Sequence, residues 1–250
     1  MAEAGHTFLA KLGKTRLRPG GKVATDWLID KGHFTKDKKV LEVACNMCTT
    51  SVMLAERYGC EIEGVDLNKK ALEKGKENVQ KHRLEHLIHV QQANAMDLPF
   101  EDETFDIVLN EAMLTMLPIQ AKEKALKEYY RVLKPGGILL THDIAIMTPS
   151  ETDRIQSQLS EAINVKVTPL PTAEWRKLYQ DAGFDSVESK VGEMSLMTPA
   201  GMIRDEGLKG TARIIRNALK NENRSMFMTM FKTMNGLKEH MNYVVHAARK

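Results

Sequence analysis

The sequence has few cysteines and no long apolar run. Its 250 residues include only Cys45, Cys48 and Cys60. An odd number of cysteines in a chain of this size does not suit a disulfide framework and is typical of a reducing compartment. No segment approaches the ~20 consecutive apolar residues of a membrane span, and the N-terminus lacks the apolar core of a signal peptide. We therefore expect a cytoplasmic protein with no membrane span.

A strong charge of either sign is also missing. Lys and Arg number 36 and Asp and Glu number 33, which leaves a net charge of +3. Such a mild balance argues against an extended nucleic-acid interface, so no nucleic-acid partner is expected. Because 42% of the residues are hydrophobic, the chain can bury a sizeable core.

Strand patterns alternate with helical patterns through most of the chain. Apolar runs predict strands near residues 39–44, 61–65, 87–93, 105–110, 137–143, 184–191 and 242–247. Between them, apolar residues recur at helical spacing. This alternation predicts an α/β fold with a doubly wound, mostly parallel sheet of seven strands and helices on both faces. Such sheets bind ligands outside the carboxyl ends of their strands.

Two segments fall outside this alternation. Residues 1–36 precede the first strand, and residues 193–240 form a methionine-rich insertion with two predicted helices. Methionine at helical spacing fills cores and also suits an adaptable apolar lid. We expect one domain over 1–250, in which 37–192 and 241–250 form the core. Residues 1–36 would then be a helical cap and 193–240 a helical lid.

A short stretch after the first strand has the features of a ligand cradle. The apolar run that carries Glu42 ends in a loop of small residues, and Thr49 opens a helical pattern. Unpaired N–H groups at a helix N-terminus attract negative charge. The next strand ends in Asp66, about two dozen residues on, where an acid reaches ribose hydroxyls in nucleoside-binding α/β folds. The pairing predicts a nucleoside-type ligand.

Further motifs follow in a fixed order. They are Leu-Arg-Pro-Gly-Gly at 17–21, Asn-Ala-Met-Asp-Leu-Pro-Phe at 94–100, Phe-Asp-Ile-Val at 105–108 and Arg-Val-Leu-Lys-Pro-Gly-Gly at 131–137. With the cradle and Asp66, this set resembles the class I, Rossmann-like S-adenosylmethionine-dependent methyltransferases over residues 17–143. It is most similar to the group that includes quinone-biosynthesis and other metabolite methyltransferases. The resemblance implies S-adenosylmethionine as cofactor and S-adenosylhomocysteine as product.

The cradle departs from the family pattern at three places. Ala44, Asn46 and Cys48 stand where the family commonly has glycine. Glycine lets the backbone approach a ligand closely and adopt positive φ. Ala44 adds one methyl, Asn46 tolerates a left-handed turn, and Cys48 is small. We expect a tighter cradle that still binds the cofactor.

The resemblance also implies roles for individual residues. Glu42 would interact with the methionine amino end, while N–H groups of the loop face its carboxylate. Asp66 would accept bonds from two ribose hydroxyls. Leu67 and Met96 would enclose the adenine, and Asn94 would accept a bond from its amino group, more weakly than the usual acid. The implied set is completed by Arg18, Ala44, Cys45, Asn46, Ala95 and Asn110, the last beside the methionine part.

Each polar member of this set also has a purely structural interpretation. Glu42 would then be a buried acid paired with a lysine, and Asp66 an acid at a helix N-terminus. Asn94 and Asn110 would be turn or strand-end amides, and Arg18 a solvated charge. Cys45 and Cys48 spell a C-x-x-C at a helix N-terminus, which suggests redox or metal chemistry. A zinc site needs about four ligands and no second cysteine pair exists, so no metal is expected.

The reaction itself requires little of the protein beyond alignment of the acceptor and exclusion of water. A general base is needed only where the nucleophile carries a proton of high pKa. Glu111 follows the fourth strand, and His142 and Asp143 end the fifth, so we expect all three at the mouth beside the acceptor as candidate catalytic residues. The resulting hypothesis is methyl transfer to a small, partly apolar acceptor. An RNA or protein methyltransferase and a non-catalytic S-adenosylmethionine-binding module remain as alternatives.

Overall fold

The structure, a computed structural model, describes residues 3–250. Its strands are β1 (Lys39–Val43), β2 (Glu61–Asp66), β3 (Ile88–Gln92), β4 (Phe105–Glu111), β5 (Leu133–Ile146), β6 (Leu170–Pro171), β7 (Ser186–Gly192) and β8 (Met241–Arg249). Its helices are α1 (Gly5–Leu12), α2 (Gly21–Gly32), α3 (Thr49–Tyr58), α4 (Lys69–Lys81), α5 (Ile119–Val132), α6 (Thr152–Ile163), α7 (Thr172–Asp181), α8 (Pro199–Ala218) and α9 (Asn221–Gly236). Short 3₁₀ turns lie at Leu114–Met116 and Pro149–Glu151.

The strands form one sheet in the order β3-β2-β1-β4-β5-β8-β7. Strands β1 to β5 are parallel, whereas β8 runs antiparallel to both β5 and β7. The register aligns Val43 with Val65 and Asn110, so the carboxyl ends of three strands meet at one edge. This order confirms the predicted sheet of seven main strands, most of them parallel. The two-residue β6, which has no apolar run of its own, adds an eighth strand beside the end of β5.

Helices bury apolar residues on both faces of the sheet. On one face, α2, α3 and α4 contribute residues such as Leu28, Leu54 and Leu72. On the other, α5 and α7 contribute Tyr129 and Trp175 among others. Both layers are needed because the central parallel strands are apolar on both sides. The strand ends at the ligand edge are therefore held by a rigid core.

The segments around the ligand edge differ in part from the expected cap and lid. Helix α2, expected to belong to the cap, packs directly on the sheet, since its Leu28 joins Leu140 and Val245 in one apolar cluster. Helices α1, α8 and α9 share a separate cluster. Helix α6, expected to lie in the core, packs with α9 and the ends of β5 and β8. We refer to α1, α6, α8 and α9 as the cover.

Across residues 3–250, none of the helices combines the length and the apolar composition that crossing a bilayer requires.

Candidate active site

The loop after β1 adopts left-handed backbone at each position where glycine is missing. The φ angles are 58° at Ala44, 50° at Asn46 and 54° at Cys48. The loop is held by Cys45 N–H, which donates to Val65 O at 3.0 Å, and by Cys48 N–H, which donates to Cys45 O at 2.8 Å. The chain thus keeps the backbone geometry that glycine normally provides, although it replaces all three glycines.

Two glycines outside the loop, one in β2 and one in α4, leave room for the two thiols of the loop. A Cβ atom on Gly75 of α4 would lie 2.9 Å from Cys48 Sγ, and one on Gly64 of β2 would lie 3.2 Å from Cys45 Sγ. The two sulfurs are 3.7 Å apart and buried. Their hydrogen bond and burial raise the pKa of Cys45 well above its ordinary value, which disfavours a reactive thiolate. Packing therefore accounts for the C-x-x-C pair.

Beside this loop lies a first cavity that contains charges of both signs. It is lined by Thr15, Leu17, Arg18, Glu42, Ala44, Cys45, Asn46, Met47, Thr49 and Glu111. Glu42 is only 5% exposed and accepts a hydrogen bond from Ser51 Oγ. Within residues 3–250, no lysine, arginine or histidine forms an ion pair with Glu42, so the lysine-paired interpretation does not hold. Burial raises the pKa of Glu42 to about 7.

Arg18 and Glu111 form an ion pair at the inner wall of this cavity. Arg18 Nη1 lies 2.9 Å from Glu111 Oε1, and the guanidinium also donates to Thr25 and Thr50. Glu111 Oε2 accepts from Thr25 Oγ1 at 2.7 Å. Burial raises the pKa of Glu111, but Arg18 and a hydrogen bond from His142 outweigh it, so the net pKa lies below the ordinary value. Glu111 is therefore ionised at neutral pH.

A second cavity adjoins the first at Ala44 and is largely apolar. It is lined by Val43, Ala44, Val65, Asp66, Leu67, Ala93, Asn94, Ala95, Met96, Met113 and Leu117. The Asp66 oxygens accept from Asn46 N–H at 3.0 Å and from Asn68 N–H at 2.8 Å, which orients the carboxylate. Asn94 Oδ1 accepts from Met96 N–H at 3.0 Å and so also forms the local turn.

The two cavities bring together ten of the eleven residues that the sequence predicts for the cofactor. Asn110 is the exception, because it is fully buried and its Nδ2 donates to Val43 O at 2.9 Å. This bond ties β4 to β1, and Asn110 lines neither cavity. Its position corresponds to the strand-end amide interpretation.

His142 and Asp143 lie beneath the mouth rather than at it, contrary to the expectation from their place in the chain. β5 continues to Ile146, so neither residue ends the strand, and both side chains are fully buried because Gly20 packs over His142 and the turn at Thr115 packs over Asp143. His142 Nε2 accepts from Gly20 N–H at 2.9 Å, and its Nδ1 donates to Glu111 at 3.2 Å, so the ring is neutral and fully bonded. Asp143 Oδ1 accepts from Thr115 N–H at 2.7 Å on the opposite face of β5. Glu111 alone of the three lines a cavity.

A third cavity lies under the cover and is strongly apolar. It is lined by Gly5, His6, Leu9, Leu17, Pro19, Ala112, Thr115, Met116, Ile144, Leu159, Ile163, Val167, Met194, Leu196, Met230 and Met234. Leu17 belongs to this cavity and to the first one, so the two are neighbours. His6, which the sequence reasoning missed, is the ionisable group in this lining. Partial burial lowers its pKa below the ordinary value.

Known proteins match this chain over its central part or over nearly its whole length. A family model described as "Methyltransferase domain" matches residues 40–137. An uncharacterized protein of Haemophilus influenzae is 56% identical over 248 residues, which cover 99% of this chain and 98% of the relative. A demethylmenaquinone methyltransferase of Listeria welshimeri is 39% identical over 110 residues, 43% of this chain. The matched part spans only 45% of that relative.

The chain belongs to the class I S-adenosylmethionine-dependent methyltransferases. Its fold matches that of a putative sarcosine dimethylglycine methyltransferase from Galdieria sulphuraria, with a TM-score of 0.77 and 16% identity over 97% of this chain and 96% of that one. The Rossmann-like sheet that the sequence predicts is thereby confirmed.

The residues of this methyltransferase suit its cofactor, S-adenosylmethionine. The first cavity offers a cation, Arg18, and a buried acid without an ion-pair partner, Glu42, which together suit a zwitterionic amino-acid group. The second offers an oriented carboxylate, Asp66, beside apolar walls, which suits a ribose and a flat base. The cavities join at the left-handed loop, where a ligand spanning both would lie against the backbone of Ala44.

Proposed function

We propose that this methyltransferase acts on a small, largely apolar acceptor held in the cavity under the cover. The observation that carries the proposal is the apolar lining of that cavity, together with its contact through Leu17 with the cavity that holds Arg18 and Glu42. An apolar lining with few polar groups is typical of pockets for small hydrophobic ligands. One relative is named a demethylmenaquinone methyltransferase, and this name also supports an apolar acceptor.

The roles proposed for the chain follow from the geometry. Arg18 and Glu42 bind the amino-acid end of the cofactor, and Asp66 binds the ribose, flanked by Leu67, Asn94 and Met96. When bound, the cofactor supplies an activated methyl group on its sulfonium. The remaining task of the protein is to align the acceptor and exclude water, which the cover performs by closing the apolar cavity.

Besides Glu42 and Asp66, which are assigned to the cofactor, two groups that can accept a proton line the cavities. Glu111 lines the first cavity and is ionised, while His6 lines the apolar cavity. We propose Glu111 as the candidate catalytic residue and His142 as the group that positions it, through the Nδ1–H bond to Glu111 and the Gly20 bond to Nε2. Asp143 faces the opposite side of β5 and lines none of the three cavities.

The proposal also covers the cellular location of the protein and the class of its partners. All three cysteines are free thiols in the structure, which supports a reducing, cytoplasmic location. The net charge of +3 supports a small-molecule acceptor over a nucleic acid.

The test uses Met116, which lines the apolar cavity and neither of the other two. Metabolite extracts are screened for transfer of labelled methyl from S-adenosylmethionine, and the products are separated by polarity. Met116→Gln places an unpaired amide in the apolar lining and should lower kcat/KM for the acceptor by about tenfold or more. Calorimetric affinity for S-adenosylhomocysteine should stay unchanged.

Met116→Leu is the matched control, because it keeps the apolar character at similar volume. It should retain activity within about threefold of the wild type. Label that enters only water-soluble, charged products, with Met116→Gln as active as Met116→Leu, would contradict an apolar acceptor.

A further inference from the structure

The second half of α8 exposes an apolar stripe to solvent. A kink at Gly207, where φ is 69°, separates this half from the first. Beyond the kink, Leu208 is 74% exposed, Ile215 41% and Leu219 57%. Their spacings of seven and four residues place them on one side of the helix. Exposure of several large apolar residues in one line indicates an interaction surface.

The fold does not need this stripe for its own packing. Another side of the same helix, about a quarter turn from the stripe, buries Ile214 and Ala218 against Phe8 and Leu12 of α1 and against α9. The helix is therefore anchored by one face while Leu208, Ile215 and Leu219 face outward. Substitutions in the outward face should leave the cover intact.

Basic residues run beside the apolar stripe. Lys209, Arg213, Arg216 and Lys220 are all exposed and, at about 100° per residue, lie about 80–140° round the helix from the stripe. Arg213, the furthest from the stripe, also donates to Gly13 O at 3.0 Å. Residues 208–220 contain no acid, so they carry four positive charges, whereas the whole chain carries a net +3. Without these four residues the net charge of +3 would become −1, so this surface is more basic than the rest of the chain taken together.

We propose that the outward face of α8 from Leu208 to Lys220 docks on the surface of an anionic phospholipid bilayer. An apolar stripe flanked by lysine and arginine is the arrangement that lies in a bilayer interface, with the apolar side chains at the acyl boundary and the cations at the phosphates. A second copy of the chain suits the surface poorly, because its four positive charges would face four of the same sign. The inference does not depend on the identity of the methyl acceptor.

Binding of the full chain to vesicles tests the proposal. Vesicles of phosphatidylcholine alone are compared with vesicles that also contain phosphatidylglycerol, and bound protein is measured by co-sedimentation at low and high salt. The wild type should bind only the anionic vesicles and should be released by salt. Each lysine or arginine near an anionic surface contributes about fivefold in partitioning.

Two double variants and one control separate the components. Lys209→Gln with Arg216→Gln should weaken binding by about 25-fold. Leu208→Gln with Leu219→Gln should weaken it by at least about tenfold. The control removes the same charge from exposed positions of α5, Lys124→Gln with Lys127→Gln, and should bind as the wild type does.

Three results would overturn the proposal. The first is that the wild type does not bind anionic vesicles. The second is that both α8 variants bind as well as the wild type, or that the α5 control loses as much binding as the α8 variants do. The third is that the wild type does not bind vesicles and forms a dimer in sedimentation velocity, which the Leu208 and Leu219 substitutions dissociate. This result would assign the surface to a second copy of the chain. Affinity for S-adenosylhomocysteine, measured in each variant, verifies that the fold is intact.

Discussion

Replacing Ala44 with glycine should make this methyltransferase more stable. Ala44 has a φ of 58°, and a left-handed conformation costs a residue with a Cβ roughly 1–2 kcal/mol. Glycine removes that cost, but its greater conformational entropy stabilises the unfolded chain by about 0.4–1 kcal/mol. The expected net change in the free energy of unfolding is therefore an increase of about 0.5–1 kcal/mol.

The two neighbouring positions make the prediction more stringent. Asn46→Gly should change the free energy of unfolding by less than about 0.5 kcal/mol, because asparagine already tolerates this conformation. Cys48→Gly should lower it by about 1 kcal/mol, since a fully buried side chain of two heavy atoms is lost along with the strain. The three glycine substitutions should thus stabilise, leave unchanged and destabilise, in that order.

Urea unfolding with linear extrapolation measures all three variants, with Ala44→Val as the opposite control. A β-branched residue at this φ should cost about 2 kcal/mol or more. If Ala44→Gly destabilises the protein while Ala44→Val does not, the loop is not left-handed at this position and the strain argument fails.

Two further predictions concern carboxylates at and below the site. Asp66→Ala should weaken S-adenosylhomocysteine binding by about 1.5–3 kcal/mol in calorimetry, as for charge-assisted hydrogen bonds, and an unchanged affinity would remove Asp66 from the proposed ribose site. Burial raises the pKa of Asp143 from 3.8 to about 7, so this group stabilises the fold below its unfolded pKa and that stability is lost as pH rises through about 7. Asp143→Asn, which stays neutral, should therefore lose less stability than the wild type between about pH 5 and about pH 8 in urea unfolding, and equal losses would contradict a raised pKa.

Local patterns in the sequence were sufficient to predict the sheet and the edge where the first two cavities lie. Apolar runs and helical spacing predict the seven main strands because a strand and a helix each bury a periodic set of residues. Glu42, the small-residue loop and Asp66 converge because parallel strands end at the same edge. These relations depend only on residues close in sequence or on neighbouring strands.

Other features depended on contacts between segments far apart in the chain. His142 was expected to end a strand, but β5 continues to Ile146, and its Nε2 accepts from the N–H of Gly20, about 120 residues earlier. Cys48 replaces a glycine without disrupting the loop because Gly75 leaves room for its sulfur. The apolar cavity exists only where α1, α6 and the segment around α9 meet above the strand ends.

The sequence by itself thus determined the cofactor class, while the tertiary structure decided which polar residues reach a cavity and where the apolar cavity forms. The physical reason is that the cradle is built from one loop and two strand ends, whose geometry follows from local backbone preferences. The burial of Asn110, His142 and Asp143, by contrast, depends on which distant segments pack over the strands. A pattern read along the chain contains no signal for that packing.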